Sequence, residues 1–162
     1  MNGYVRQVSR ALDAEHRATL DLLDRVERAF PRMGHARDAE LDKLVGTLCR
    51  HLEMELGRHF DFEEKELFPR MIASGDGDMA GLLLEEHDAI HSVARELLPL
   101  GRAATAGTLD DRGWDALRRT ALEMSERLRA HIEKETIGLL PLVDDLLEED
   151  IDRELAFAYA AG

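Results

Sequence analysis

Residues 59–69 read HFDFEEKELFP, and residues 131–141 read HIEKETIGLLP. In both segments a glutamate lies four residues after the histidine, a leucine eight residues after it and a proline ten residues after it. Further upstream, the dipeptide Glu-His occurs at residues 15–16 and again at residues 86–87, and its histidine precedes the next motif by 43 and 44 residues. The sequence therefore predicts two similar helical hairpins, whose antiparallel packing would bring all four motifs to one level of a bundle.

The residues on either side of these motifs favour helices throughout. Ala, Leu, Glu, Arg and Met dominate, and alternating apolar–polar stretches are absent. Prolines and glycines divide the chain at residues 31–34, 69–77 and 99–113 and at Pro141. We predict one all-α domain over residues 1–162, an antiparallel up-down-up-down four-helix bundle over about 4–140 with a short C-terminal helix. The predicted helices cover residues of about 4–30, 36–68, 77–98, 110–140 and 142–160.

The overall composition excludes several classes of protein. A net charge of −13 would repel phosphate backbones and anionic lipid, so neither nucleic acid nor a membrane is an expected partner. No apolar run approaches the roughly 20 residues needed to cross a bilayer. The single cysteine, Cys49, cannot form an internal disulfide, and the first residues lack the pattern of a signal peptide. We therefore expect a soluble cytoplasmic protein that is a monomer or a weak homo-oligomer.

Polar side chains continue the apolar stripe of each predicted long helix. In the fourth helix, for example, the stripe that includes Leu128 continues with His131 and Glu135. Residues four apart differ by roughly 40° around a helix axis, so both side chains of such a pair can reach one centre. The candidate metal ligands identified in this way are His16, His59, Glu63, His87, His91, His131 and Glu135.

These residues could be either hydrogen-bonded core residues or metal ligands. A lone histidine on an apolar face is more often a hydrogen-bonded core residue than a ligand. Burying five histidines and two glutamates without a cation, however, would cost several kcal/mol for each unpaired charge, so the joint pattern favours metal. Imidazole and carboxylate suit iron, zinc or manganese, and seven donors exceed what one ion usually accepts. We expect two ions bridged by Glu63 and Glu135.

Nearby residues with a similar pattern are not expected to be ligands. His51 and Glu55 also lie four apart, but the corresponding positions of the repeat hold Glu123 and Arg127, which would not complete a site. Glu64 is expected to belong to a solvated face.

The motifs resemble those of the haemerythrin family, in particular its bacterial haemerythrin-like, or HHE cation-binding, domains. The resemblance covers residues of about 12–143 and rests on the isolated His16, the HxxxE at 59–63, the HxxxH at 87–91 and the HxxxE at 131–135. It implies a di-iron centre with an oxo or hydroxo bridge. The ligands that it implies are His87, His91 and His131 on one iron, His16 and His59 on the other, and Glu63 and Glu135 as bridges.

The resemblance also implies a function. Five histidines leave a free coordination position for dioxygen, nitric oxide or peroxide, as in a sensor, carrier or scavenger. The alternatives are an iron-handling or iron-centre repair enzyme acting under nitrosative or oxidative stress, and a structural metal-binding module. Oxygen-carrying members have an aspartate five residues after the last histidine, where this chain has Thr136, and the HxxxE ending is similar to that of bacterial and regulatory members. Ferritin-like bundles carry ExxH motifs, and none occurs in this sequence.

The two halves of the repeat differ at one position near the candidate ligands. The third helix has His91 four residues after His87, whereas the first helix has Leu20 four residues after His16. We therefore expect unequal ions, one saturated and the other short of a ligand beside Leu20.

Overall fold

The computed structural model describes residues 3–30 and 38–162, and it contains helices and no strands within these ranges. The helices are α1 (Gln7–Ala29), α2 (Ala39–Met54), α3 (Phe60–Phe62), α4 (Phe68–Ala73), α5 (Gly77–Thr105), α6 (Asp111–Gly138), α7 (Leu140–Leu146) and α8 (Glu149–Ala161). Two π-helical segments, Glu55–His59 and Glu63–Leu67, join α2, α3 and α4 into one continuous segment over residues 39–73.

Four long arms form a helical bundle: α1, the 39–73 segment, α5 and α6. Each arm packs against the two arms beside it, since α1 contacts α2 and α6, and α5 contacts α2, α4 and α6. Helices α7 and α8 pack against α1. The predicted all-α bundle is thus confirmed. Within the described ranges, no helix combines the length and the apolar character that a membrane span requires.

Two apolar clusters fill the bundle, and a polar layer separates them. On α1, Leu12 belongs to one cluster and Leu22 to the other, with the buried His16 between them. Leu128 of α6 and Leu139, the residue that follows this helix, belong to different clusters in the same way, and two of the candidate ligands lie between them. Burial of apolar side chains is the main stabilising contribution to such a bundle, so the polar layer must be retained for another reason.

The 39–73 segment departs from α geometry where it passes the polar layer. His59 is the last residue of the first π segment, and Glu63 is the first residue of the second. Each π turn contains more residues than an α turn and changes the direction of the side chains that follow, and such turns are frequent at functional sites. Here they let two ligand candidates and the intervening Phe60 all be buried.

Several helix boundaries differ from the prediction. Pro69 lies in the first turn of α4, where a missing N–H group costs little, and the helix continues to Ala73. The turn that follows uses Gly75 with a φ of 97°, a conformation that disfavours other residues. Pro99 lies inside α5 but is exposed, so water can reach the backbone around it.

The C-terminal region also differs from the prediction. The single helix predicted over 142–160 is two helices, because the backbone is extended at Leu147 and Glu148 between α7 and α8. The connection predicted at residues 31–34 lies outside the described residues.

Candidate metal centre

Six of the seven candidate ligands are buried in the polar layer, each with at most 2% of its surface exposed. They form two groups of four, in each of which the potential ligand atoms lie within 4.8 Å of one another. One group contains His16, His59, Glu63 and Glu135, and the other contains Glu63, His87, His131 and Glu135. Because both carboxylates belong to both groups, the six side chains can hold two cations side by side.

The structure does not bring His91 into either group. Its half-buried ring lies edge-on to the ring of Phe60, with 5.7 Å between the centroids. Phe60 also stacks on His87 at 3.7 Å, so the phenyl ring fills space beside both histidines. Each group therefore offers two imidazoles and two carboxylates, and the inequality predicted from His91 and Leu20 does not appear in the ligand groups.

His51, which the sequence analysis did not expect to be a ligand, contacts a different residue. His51 is in neither group, and its Nε2 lies 2.7 Å from the hydroxyl oxygen of Thr19.

In three of the four grouped imidazoles, Nδ1 forms a hydrogen bond with a carboxylate that belongs to neither ligand group. The N···O distances are 2.7 Å from His59 to Glu15, 2.8 Å from His87 to Glu64 and 2.8 Å from His131 to Glu86. A carboxylate that accepts a hydrogen bond from Nδ1 fixes the ring orientation and leaves the Nε2 lone pair for a metal. This is the arrangement of metal-binding histidines rather than of histidines that fill a core.

His16 is the exception among the four imidazoles. Its Nε2 lies 3.1 Å from Glu135 Oε1, but its buried Nδ1 makes no hydrogen bond to any described residue. The repeat explains the difference, because Thr136 stands where the other half has Glu64. The Thr136 hydroxyl donates to the carbonyl of Ile132 instead.

The inner faces of the imidazoles meet the shared carboxylates at short range. Nε2 of His59 lies 2.6 Å from Glu63, Nε2 of His87 lies 3.2 Å from Glu63, and Nε2 of His131 lies 3.3 Å from Glu135. A neutral imidazole that donates from Nδ1 has a lone pair at Nε2, so these contacts direct lone pairs at carboxylate oxygens. Such contacts are unfavourable unless a proton or a metal cation lies between the atoms. The donor set therefore fits a cation.

The two shared carboxyls differ in their proton affinity. Burial raises the pKa of Glu63 well above its ordinary value, and the negative charge of Glu135 raises this pKa further. Burial also acts to raise the pKa of Glu135, but the charge of His131 and hydrogen bonds from His131 and His16 hold it well below its ordinary value. Without a metal, the opposite directions of these two pKa shifts favour a proton on Glu63 over one on Glu135.

The two imidazoles of the second group differ as well. Burial and the neighbouring charge of His131 lower the pKa of His87 to about 3, so His87 is neutral at physiological pH. Burial alone would lower the pKa of His131, but the negative charge of Glu135 raises it. The raised pKa of Glu63 favours a neutral carboxyl, and the raised pKa of His131 favours an imidazolium that faces the anion of Glu135 when metal is absent.

Sequence reasoning missed four residues around this centre. Glu64 was expected on a solvated face, but it accepts a hydrogen bond from His87. Glu15 and Glu86 occupy equivalent positions of the repeat and accept from the histidine of their own hairpin, so the recurring Glu-His dipeptide was an available signal. Tyr159, whose hydroxyl donates to Glu15, lies outside the repeat and had no such signal.

Comparison with known proteins supports the metal-binding interpretation. A family model described as the hemerythrin HHE cation binding domain matches residues 7–143 of the chain, a range that contains every grouped residue. No curated protein matches the sequence.

Proposed function

Since the chain belongs to the hemerythrin HHE cation-binding domain family, we propose that it is a non-haem di-iron protein that binds a small ligand such as dioxygen, nitric oxide or peroxide. One observation carries the proposal: two buried donor groups share Glu63 and Glu135. In this proposal, His16 and His59 would hold one ion, His87 and His131 would hold the other, and Glu63 and Glu135 would be available to both.

The donor chemistry favours iron among the possible ions. Two imidazoles with carboxylates suit iron, manganese and zinc, and an ion with open positions beside such ligands is typical of non-haem iron proteins. The protein donors of each group number four, which is fewer than an octahedral ion accepts. Bound iron supplies a redox-active site with room for a small ligand.

The chain's own residues have three tasks around this site. Glu15, Glu64 and Glu86 orient the imidazoles through Nδ1. The two apolar clusters exclude bulk water from both ends of the polar layer. Phe60, which is 1% exposed, packs against the rings of both His87 and His91.

A cleft between α5 and α6 supports a small ligand. Its volume is about 130 Å³, and it is lined by Glu86, Ala89, Ile90, Arg127, Ala130 and His131. The lining of the cleft therefore includes one grouped histidine, His131, together with the small residues Ala89 and Ala130. This volume suits a molecule of two or three heavy atoms better than a larger substrate.

The proposal is tested by metal analysis and optical spectra of protein prepared from iron-supplemented medium. We expect about two iron ions per chain, a visible spectral change when azide is added to the oxidised protein, and a change when nitric oxide or dioxygen is added to the reduced protein. Glu135→Ala is expected to lose both ions, whereas Glu133→Ala, an exposed neighbour on α6, should keep them. A protein with two ions that responds to none of these ligands would instead be a structural metal-binding module, and zinc or manganese at full occupancy would exclude iron.

A further inference from the structure

The terminal helix α8 is anchored at the beginning of α1. The buried carboxylate of Asp152 accepts hydrogen bonds from the backbone amides of Gln7 and Val8, at 2.8 and 2.9 Å. These amides belong to the first turn of α1, where no helical carbonyl is available to them and the helix dipole favours a negative charge. The N-terminal half of α8 is therefore fixed relative to the helix that carries His16.

The other end of α8 reaches the outer carboxylate of the centre. The hydroxyl of Tyr159, a residue that is 8% exposed, donates to Glu15 Oε2, which also accepts from His59 Nδ1 at 2.7 Å. Arg58 donates to Glu15 Oε1 at 3.3 Å and to the carbonyl of Tyr159, and its guanidinium carbon lies 4.2 Å from the tyrosine ring centroid. Both oxygens of Glu15 are therefore held, and the chain Tyr159–Glu15–His59 runs from α8 to the polar layer.

The two halves of the centre are supported differently. In the group with His87 and His131, both imidazoles have an outer carboxylate, and one of these carboxylates pairs with Lys134, a partly exposed residue of α6. In the group with His16 and His59, Nδ1 of His16 makes no hydrogen bond to a described residue. His59 is thus the one imidazole of its group that is oriented from outside, and Tyr159 reaches it through Glu15.

Helix α8 lies outside the range of the family match, which ends at residue 143, because α8 begins at Glu149. In the His87–His131 group, the residues that orient the imidazoles, Glu64 and Glu86, and the Lys134 that pairs with Glu86 all lie within the matched range.

From this geometry we propose that Tyr159 is a positioning residue for the His16–His59 half of the centre, so that the ion held by that half depends on the docking of α8. The two ion positions then differ in the hydrogen bonds that orient their histidines rather than in the ligands themselves. The His16–His59 position has fewer such hydrogen bonds from the bundle and depends on the terminal helix. This inference rests on the proposed metal centre.

The test is the rate at which zinc-loaded protein releases its ions to a chromogenic chelator, because zinc binding needs no redox chemistry. Loss of the hydrogen-bond partner of a ligating histidine typically weakens metal binding by about 10- to 100-fold, which sets the expectation for Glu15. Tyr159 acts through Glu15, so we expect Tyr159→Phe to accelerate the release of one ion by at most about tenfold and to leave the other unchanged. Glu15→Gln should accelerate the same ion, and the double variant should release it no faster than Glu15→Gln alone. Tyr4→Phe is the matched control, because Tyr4 packs beside the same apolar cluster without contacting Glu15 in any described hydrogen bond.

A second measurement separates this inference from the proposed function. Nitrogen-15 spectra of the metal-free protein report the Nδ1–H group of each histidine, and Tyr159→Phe should speed the exchange of the His59 proton with water but not that of His131. Equal acceleration of both ions, or of both ring protons, would mean that Tyr159 acts on the fold as a whole, and unchanged rates would show that it has no role at the centre. Should the wild-type chain bind no metal, the proposed function fails, and the ring protons still decide whether Tyr159 positions His59.

Discussion

Replacing Glu63 with glutamine is expected to stabilise the metal-free protein while abolishing metal binding at both positions. Glu63 is fully buried, its carboxylate oxygens lie 2.6 Å from Nε2 of His59 and 3.2 Å from Nε2 of His87, and Glu135 lies in the same layer. Glutamine keeps the shape, removes the ionisable group and adds an N–H donor that can face Glu135. A neutral amide is a poor bridging ligand, so neither ion should be retained.

The magnitude follows from the cost of burying the ionisable carboxyl of Glu63 without a metal, because folding must either bury its charge or keep it protonated. The effective penalty for burying one ion is several kcal/mol, a neutral amide avoids part of it, and we take about 2 kcal/mol for this site. For a chain of this size each kcal/mol shifts Tm by about 2–4 °C, so the metal-free variant should melt about 4–8 °C higher than the metal-free wild type.

The effect should also depend on pH. Because the folded-state pKa of Glu63 is raised, its contribution to stability is fully present below the unfolded value and is lost as pH rises through the folded value. The advantage of glutamine should therefore be small near pH 4 and should grow towards neutral pH.

Thermal unfolding in the presence of a chelator, measured between pH 4 and 8, tests this reasoning. Glu66→Gln is the control, since Glu66 lies on the same π segment and is 44% exposed, and its melting temperature should follow that of the wild type. A metal-free Glu63→Gln protein that melts below the wild type at neutral pH would refute the argument, as would an advantage that does not change with pH.

Three further predictions concern the same centre. Metal binding at neutral pH should release protons, because the raised pKa values of Glu63 and His131 favour protons that a bound cation would displace. Calorimetric titration in buffers of different ionisation enthalpy measures the number of protons released. A binding heat that does not depend on the buffer would contradict this prediction. His91→Ala should retain about two ions per chain whereas His87→Ala should lose metal, and equal losses in elemental analysis would return His91 to the ligand set. Ala130→Leu should narrow the cleft and slow azide binding in stopped-flow spectra without loss of iron, and an unchanged rate would place the ligand's path elsewhere.

Much of the fold was predictable from short-range patterns. Apolar stripes, the repeat and the position of glycines together predicted four long helices, which the structure confirms. The two prolines at helix ends were misleading, because their effect depends on surroundings that the local sequence does not show. Pro69 follows a π segment and begins a new turn, and Pro99 lies on an exposed face.

The candidate site was also predictable only where sequence spacing determines the position of a residue. The repeat singled out all six grouped residues, because equivalent positions of two hairpins face each other across the bundle. Spacing also placed His91 on the same face as His87, but it could not reveal that Phe60, from another arm, fills the space beside them. The contact between Tyr159 and Glu15 could not be predicted from the sequence either, since it depends on where α8 packs.

The polar layer between two apolar clusters has a consequence for how the protein unfolds. Each cluster buries its own set of side chains, and the layer between them contributes little apolar contact to join the two ends. In the metal-free chain, each end can therefore open as a separate cooperative unit, with its own set of protected backbone amides in hydrogen exchange. On the proposed function, two cations held by ligands on all four arms would tie these units together, and we expect hydrogen exchange to show one folding unit in the metal-loaded protein and two in the metal-free protein.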